Sequence, residues 1–104
     1  MIVEERNYTL KPGKAGEFMA LYQKKGLQIQ TRILGNLIGY FLSEIGDLNV
    51  AVHLWGYESL EERTRRRGLL IQEQVWRDYI AAVTPLIDRM SNRILLPTAF
   101  SPIH

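Results

Sequence analysis

The segment "LIGYFLSEIGDLNVAVHLWGY", residues 37–57, decides the fold. Two runs rich in aliphatic, β-branched and aromatic residues, 37–45 and 50–57, flank the turn-forming "GDLN" at 46–49, which is the pattern of a hairpin of two antiparallel strands. Strand side chains alternate, so Val50, Val52 and Leu54 fall on one side and Ala51, His53, Trp55 and Tyr57 on the other. In the first run Leu37, Phe41 and Ile45 oppose Ile38, Tyr40 and Leu42. The aliphatic side is expected to face helices and the His53 side a partner. Neither face is polar enough to meet water, which predicts a homodimer closing over the free sheet face.

Outward from the hairpin, residues 2–10 read as a first strand stopped by "KPGK". Phe18, Leu21 and Tyr22 at helical spacing predict a helix over 14–25, interrupted at Gly26, and "LQIQTRIL" at 27–34 fits a second helical segment. After the hairpin, Ser59 and Glu62 have the spacing of a capping box, so a helix starts near Leu60. Trp76, Tyr79, Ile80, Val83, Leu86, Ile87 and Met90 then repeat as a buried helical stripe, with Pro85 imposing a kink or a restart capped by Thr84. "NRILLP" at 92–97 reads as the last strand, and the tail "TAFSPIH" has no periodicity and is expected to lie over another part of the molecule.

Strand, helix, strand, strand, helix, strand is the ferredoxin-like β-α-β-β-α-β order, an α+β fold with a four-stranded antiparallel sheet and its helices on one face. The 104 residues, 46% hydrophobic and 23% charged, suit one domain spanning 1–104. Thirteen basic against eleven acidic residues leave a net charge of +2, too little to point to nucleic acid or an anionic membrane. With no cysteine there is no disulfide and no thiolate chemistry. No apolar run approaches the roughly 18 residues of a membrane span, and the expectation is a cytoplasmic protein. One internal histidine with scattered carboxylates supplies no metal site, and no phosphate loop, nucleophile elbow or dinucleotide fingerprint occurs, so no cofactor is expected.

"EERNYTLKPGK", "GNLIGYFLSEIGDLNVAVHLWGYESLEERTRRR" and "NRILLPTAFSP", in that order, resemble the NIPSNAP family over essentially the whole chain. The resemblance implies a dimeric α/β barrel, in which two ferredoxin-like subunits pair their sheets and each protomer carries a cleft. The wider superfamily includes cofactor-independent monooxygenases, isomerases, dehydratases and haem-handling enzymes, so the fold leaves function open. One departure stands in the first strand: where the family pattern resembles E-L-R-T-Y, this chain has Glu5 and then Asn7.

Several residues carry candidate chemistry. His53 is the candidate catalytic general base, against the alternative of a packed histidine bonded to a neighbouring strand. Glu4, Arg6 and Tyr8 alternate along the first strand and either reach into a shared cleft as ligand-binding groups or neutralise one another. Tyr40 and Trp55, with Tyr57, either wall a pocket for a small hydrophobic or aromatic ligand or bury area at a dimer interface. Arg93 either holds an anionic ligand or pairs with Glu4 or Glu5 across the sheet. In the block "EERTRRR", Glu61 with Arg65 and Glu62 with Arg66 are set for pairing one turn apart, which leaves Arg63 and Arg67 without local partners. Two functions follow: a small-molecule site in each protomer, as in a cofactor-independent oxygenase or isomerase, or a non-catalytic binding or assembly module. If His53 and Arg6 open together into one ligand-sized cavity the first survives, and if they are sealed in protein contacts it fails.

Overall fold

The computed structural model describes all residues 1–104. Its strands are β1 (Ile2–Leu10), β2 (Asn36–Leu42), β3 (Val50–Tyr57) and β4 (Ile87–Leu95), and its helices are α1 (Ala15–Leu21), α2 (Leu27–Leu34), α3 (Leu60–Ile71) and α4 (Gln74–Val83). The sheet order is β2-β3-β1-β4 with every pairing antiparallel, the ferredoxin-like arrangement. No helix is long and apolar enough to cross a membrane.

The hairpin forms, but β2 ends at Leu42 instead of residue 45, so the connection runs over 43–49. Gly46 and Asn49 both take positive φ, the conformation that glycine and asparagine tolerate, so the chain reverses between β2 and β3. Opposite residues of an antiparallel pair share a face, and β1 aligns Glu4 with Trp55, Arg6 with His53 and Tyr8 with Ala51. β2 aligns Leu37 with Trp55 and Tyr40 with His53, because one extra residue at Ile38 bulges and resets the alternation.

The two faces of the sheet are the reverse of the sequence expectation. Ala51, His53, Trp55 and Tyr57 are buried under the helices, whereas Val50, Val52 and Leu54 lie on the open face with Phe41. The physical reason is the chemistry of the helices. They present Phe18, Tyr22, Trp76 and Tyr79 to the sheet, where Tyr22 packs on Tyr40 and Phe18 on Tyr8, and Tyr40 in turn stacks on His53. The open face is apolar only over β2 and β3. Over β1 and β4 it is polar, and there Arg93 Nε donates to Glu5 Oε2 at 3.0 Å while Asn7 Nδ2 donates to the same oxygen at 3.0 Å.

Three element boundaries also differ from expectation. Gly26 does not interrupt the first helix: Tyr22–Gly26 form a π-helical turn that joins α1 to α2 without a break. Pro85 does end α4, but no helix restarts; Thr84–Leu86 make one 3-10 turn and β4 begins at Ile87, well before residue 92. Ile87 and Met90 therefore belong to a strand, and their helical spacing continues the α4 stripe by coincidence of sequence. In the tail Phe100 is 89% exposed.

At α3 the Ser59 hydroxyl accepts from Glu62 N at 3.1 Å, as a cap should. The Glu62 carboxylate does not return to the cap. It accepts from Arg65 Nη2 at 2.6 Å and Arg66 Nε at 2.8 Å, because two guanidinium groups outcompete one backbone amide.

Candidate functional site

β1 and β3 project a polar line into the space beneath the helices. Glu4 is fully buried, and its carboxylate accepts from four donors: Arg63 Nε at 2.9 Å and Nη2 at 2.7 Å, Asn92 Nδ2 at 2.8 Å, and Arg6 Nη1 at 3.0 Å. Burial alone would push this carboxyl up, but the bonds from Arg63 and Asn92 and the charge of Arg6 hold it down at about 2. Three of these donors converge on Oε2 and one on Oε1, and the carboxylate is fully buried, so it is committed to the protein. Arg63, the arginine without a partner on its own helix, is thus consumed by a carboxylate 59 residues away. Arg67, one turn further on, keeps one buried guanidinium nitrogen without a partner, and burial and the charge of Arg6 lower its pKa.

Arg6 links this cluster to an aromatic one. Its Nε donates to Tyr8 Oη at 3.1 Å, and the Tyr8 ring meets the His53 ring edge-on at 4.8 Å. On its other side His53 stacks on Tyr40 at 4.5 Å with an interplanar angle of 12°. Tyr40 in turn packs on Tyr22 at 4.7 Å, and Tyr22 on Tyr79 at 5.8 Å.

His53 itself is 1% exposed, and its Nδ1 accepts from Trp55 Nε1 at 2.7 Å. An indole N–H only donates, so the proton of the neutral imidazole resides on Nε2, and that Nε2–H has no partner in the protein. Burial first, then the charge of Arg6, lower the His53 pKa to about 3. The ring is a neutral hydrogen-bond donor at physiological pH. In this geometry its one lone pair is engaged by Trp55, which leaves no free ring nitrogen for the expected general-base role.

His53 is among the residues that line a cavity of about 80 Å³ between the sheet and its own helices, while its unpaired Nε2 is itself covered. Tyr8, Tyr40 and His53 line it from the sheet, and Tyr22, Gln30, Trp76 and Tyr79 from the helices; Met90 and Ile80, both substantially exposed, stand at its mouth. Burial raises the hydroxyl pKa of Tyr22, Tyr40 and Tyr79, so these phenols stay protonated. No group of His, Asp and Glu side chains gathers to hold a metal ion.

The seven residues singled out from sequence therefore separate into four places. Tyr8, Tyr40 and His53 line one cavity; Trp55 lies behind His53, fully buried, and does not reach it; Glu4 and Arg6 are sealed in the ion-pair cluster. Arg93 is on the opposite face, paired with Glu5. His53 and Arg6 thus do not open into one cavity, so the expected small-molecule site built on both fails, and the cavity that His53 lines lies on the helix side of the sheet instead of between sheet and partner. The helix contributors went unrecognised as a site because Trp76 and Tyr79 read as core, and Gln30 carries no motif.

The NIPSNAP family model matches residues 3–102. The chain belongs to the NIPSNAP family. It is 38% identical over 94 residues to a Protein NipSnap homolog of Dictyostelium discoideum, covering 90% of this chain and 41% of that protein. To the human Protein NipSnap homolog 2 it is 34% identical over 104 residues, covering 99% of this chain and 35% of that one. This NIPSNAP chain thus spans well under half the length of these curated relatives. Among solved structures it is similar to a NIPSNAP family protein of Agrobacterium tumefaciens, with a TM-score of 0.97 and 50% identity over 99% of this chain and 98% of the other. A putative antibiotic biosynthesis monooxygenase of Nitrosomonas europaea shares the fold, with a TM-score of 0.67 at 13% identity over 93% of this chain and 98% of that one.

Proposed function

We propose that this NIPSNAP chain is a homodimeric small-molecule-binding protein whose site in each protomer is the aromatic cavity under the helices. The observation that carries the reading is the cavity itself, lined mostly by aromatic and aliphatic side chains, with His53, whose buried Nε2–H has no protein partner, among the residues around it. Leaving such a group unpaired costs about 1–3 kcal/mol, and a ligand acceptor recovers it. A cavity of about 80 Å³ is smaller than the roughly 150 Å³ that takes a benzene ring, so the ligand is compact or enters as Met90 and Ile80 move aside. Its chemistry is apolar, uncharged and equipped with one hydrogen-bond acceptor.

Binding is favoured over proton abstraction because the lining offers no free base at neutral pH: the His53 lone pair is occupied and the Tyr22, Tyr40 and Tyr79 phenols are held protonated. An oxygenase or isomerase acting at this site would have to draw its base from the substrate. The homodimer rests on the apolar half of the open sheet face, where Phe41, Val52 and Leu54 cluster.

A thermal-shift series with cyclopentanone, cyclopentanol and cyclopentane tests the site. Stabilisation of the wild type by at least one of them, reduced several-fold in His53→Gln, is the expected result. A flat response from all three in the wild type contradicts it.

A further inference from the structure

We propose that a second copy of this chain pairs edge to edge along β4 and lays its C-terminal tail, residues 96–104, over the mouth of the aromatic cavity, so that the partner subunit closes each site. This rests on the homodimer and adds to it the pairing strand, the register and the closing segment.

β4 lies outermost beside β1, and its other edge is unpaired. Its nine residues, Ile87–Leu95, contain no proline, and a row of free N–H and C=O groups of that length is a template for another strand. β2, the opposite edge, is shorter and carries the bulge at Ile38, a device that blunts an edge. The helices leave β4 uncovered. Met90, Asn92 and Ile94 align with Tyr8, Arg6 and Glu4 and so belong to the helix side, yet all three are exposed. The exposure continues past the strand into Leu96 at 76% and Phe100 at 89%.

Symmetry fixes where the tail of the second copy goes. One strand pairs antiparallel with its own copy across a two-fold axis, and with both open faces turned inward, opposed residues share a face. A pairing centred on Ser91 would set Arg89 against Arg93 of the partner subunit, and like charges directly opposite destabilise. One centred on Met90 would leave Ile94 without an opposite residue in the strand. Centred on Asn92, the pairing sets Met90 against Ile94 of the partner subunit and Arg89 against the partner subunit's Leu95, which joins apolar to apolar on the helix side. The partner's tail then leaves its strand opposite Asp88, between Ile87 and Arg89 and next to Met90; Ile87 and Met90 both line the cavity. From that point eight residues reach up to roughly 25 Å, enough to cross the mouth at Met90 and Ile80.

The surface available suits a stable dimer. Met90, Ile94, Leu96, Phe100 and Ile103 present on the order of 500 Å² of apolar surface per protomer, and the paired main-chain edge brings this toward the ~800 Å² that each side of a standard interface contributes. The pairing is also continuous with the apolar half of the open face, because two sheets joined along β4 with their open faces inward enclose Phe41, Val52 and Leu54.

The test uses a chain that has no cysteine of its own, so engineered thiols report one contact at a time. Met90→Cys and Ile94→Cys, each oxidised alone, are expected to stay unlinked, and a co-refolded mixture of the two to become mostly covalent dimer. Self-linking of either variant, or a mixture that stays unlinked, overturns the pairing. The tail is read without substitution. In a dimer mixed from one deuterated copy with 13C-methyl methionine and one deuterated copy with protonated phenylalanine, a nuclear Overhauser effect between the Met90 methyl and the Phe100 ring is expected. An effect confined to Phe18 or Phe41, or none, overturns the closure, and these spectra decide even if a cysteine variant fails to fold. A wild type that sediments as a monomer removes the homodimer and the inference together. A dimer that lacks either signal removes the inference alone.

Discussion

Trp55 Nε1 donates to His53 Nδ1 across 2.7 Å, two residues apart on one side of β3. That bond converts a residue that reads as a general base into a neutral donor, because it chooses the tautomer and occupies the lone pair together. A neutral imidazole can polarise a carbonyl when its environment keeps it uncharged.

The pH dependence of stability follows from the same residue. Unfolded, the imidazole titrates near 6.5; folded, near 3. Below pH 6.5 the unfolded chain binds a proton that the folded chain refuses, so this stability is whole above 6.5 and is lost as pH falls toward 3, approaching about 1.4 kcal/mol per pH unit. Glu4, depressed from 4.5 to about 2, adds a loss of the same sign only below about pH 4.5. Urea denaturation at pH 6 and pH 5 is expected to differ by about 1 kcal/mol in wild type and to be nearly flat in His53→Gln. An equal drop in the variant contradicts the assignment.

The ion cluster predicts an order of costs. Glu4→Gln leaves Arg6, Arg63 and Arg67 facing one another without their carboxylate, and a loss of about 3–5 kcal/mol is expected. Arg63→Gln, at a partly exposed position with Arg6 and Asn92 still bound to Glu4, is expected to cost less, about 1–3 kcal/mol. Arg93→Ala, on the other face and exposed, should cost under about 1 kcal/mol and leave ligand binding unchanged. Chemical denaturation of the three variants checks the ranking.

Two glycines in helices give opposite outcomes for the same substitution. Gly68→Ala in α3 places its methyl in open space and is expected to stabilise by about 0.5–1 kcal/mol. Gly26→Ala drives a methyl into Tyr22 and Tyr79 and is expected to destabilise by about 1–3 kcal/mol despite alanine's better helix propensity. Thermal melts of the pair separate the two effects.

The homodimer carries its own test. Val52→Asp places a charge among Phe41 and Leu54 on the open face, away from the cavity. Sedimentation is expected to give twice the 12.0 kDa chain mass for wild type and a shift toward the monomer for the variant. A wild type sedimenting at 12.0 kDa contradicts the dimer.

How far the sequence reached depended on whether local patterning or packing chemistry decided each feature. The hairpin was legible because Gly46 and Asn49 sit where the backbone needs positive φ, and the Ser59 cap because its hydroxyl spacing is local. The faces of β3 were not, since hydropathy favours burying Val52 and Leu54, and only the aromatic surface of the helices explains why His53 and Trp55 are inside. The start of β4 was hidden because Ile87 and Met90 prolong the helical spacing of α4 past Pro85. Of the site, Tyr8, Tyr40 and His53 were visible on alternating strands. Gln30 was not, because regular helical spacing puts it off the face of Tyr22 until a π-helical turn is allowed.

The most direct measurement is the imidazole 15N spectrum of His53 at pH 6, without and with saturating cyclopentanone. The account expects a neutral ring protonated on Nε2, whose Nε2–H moves downfield when the ketone is added. A cationic ring, a proton on Nδ1, or no response to the ketone would contradict it.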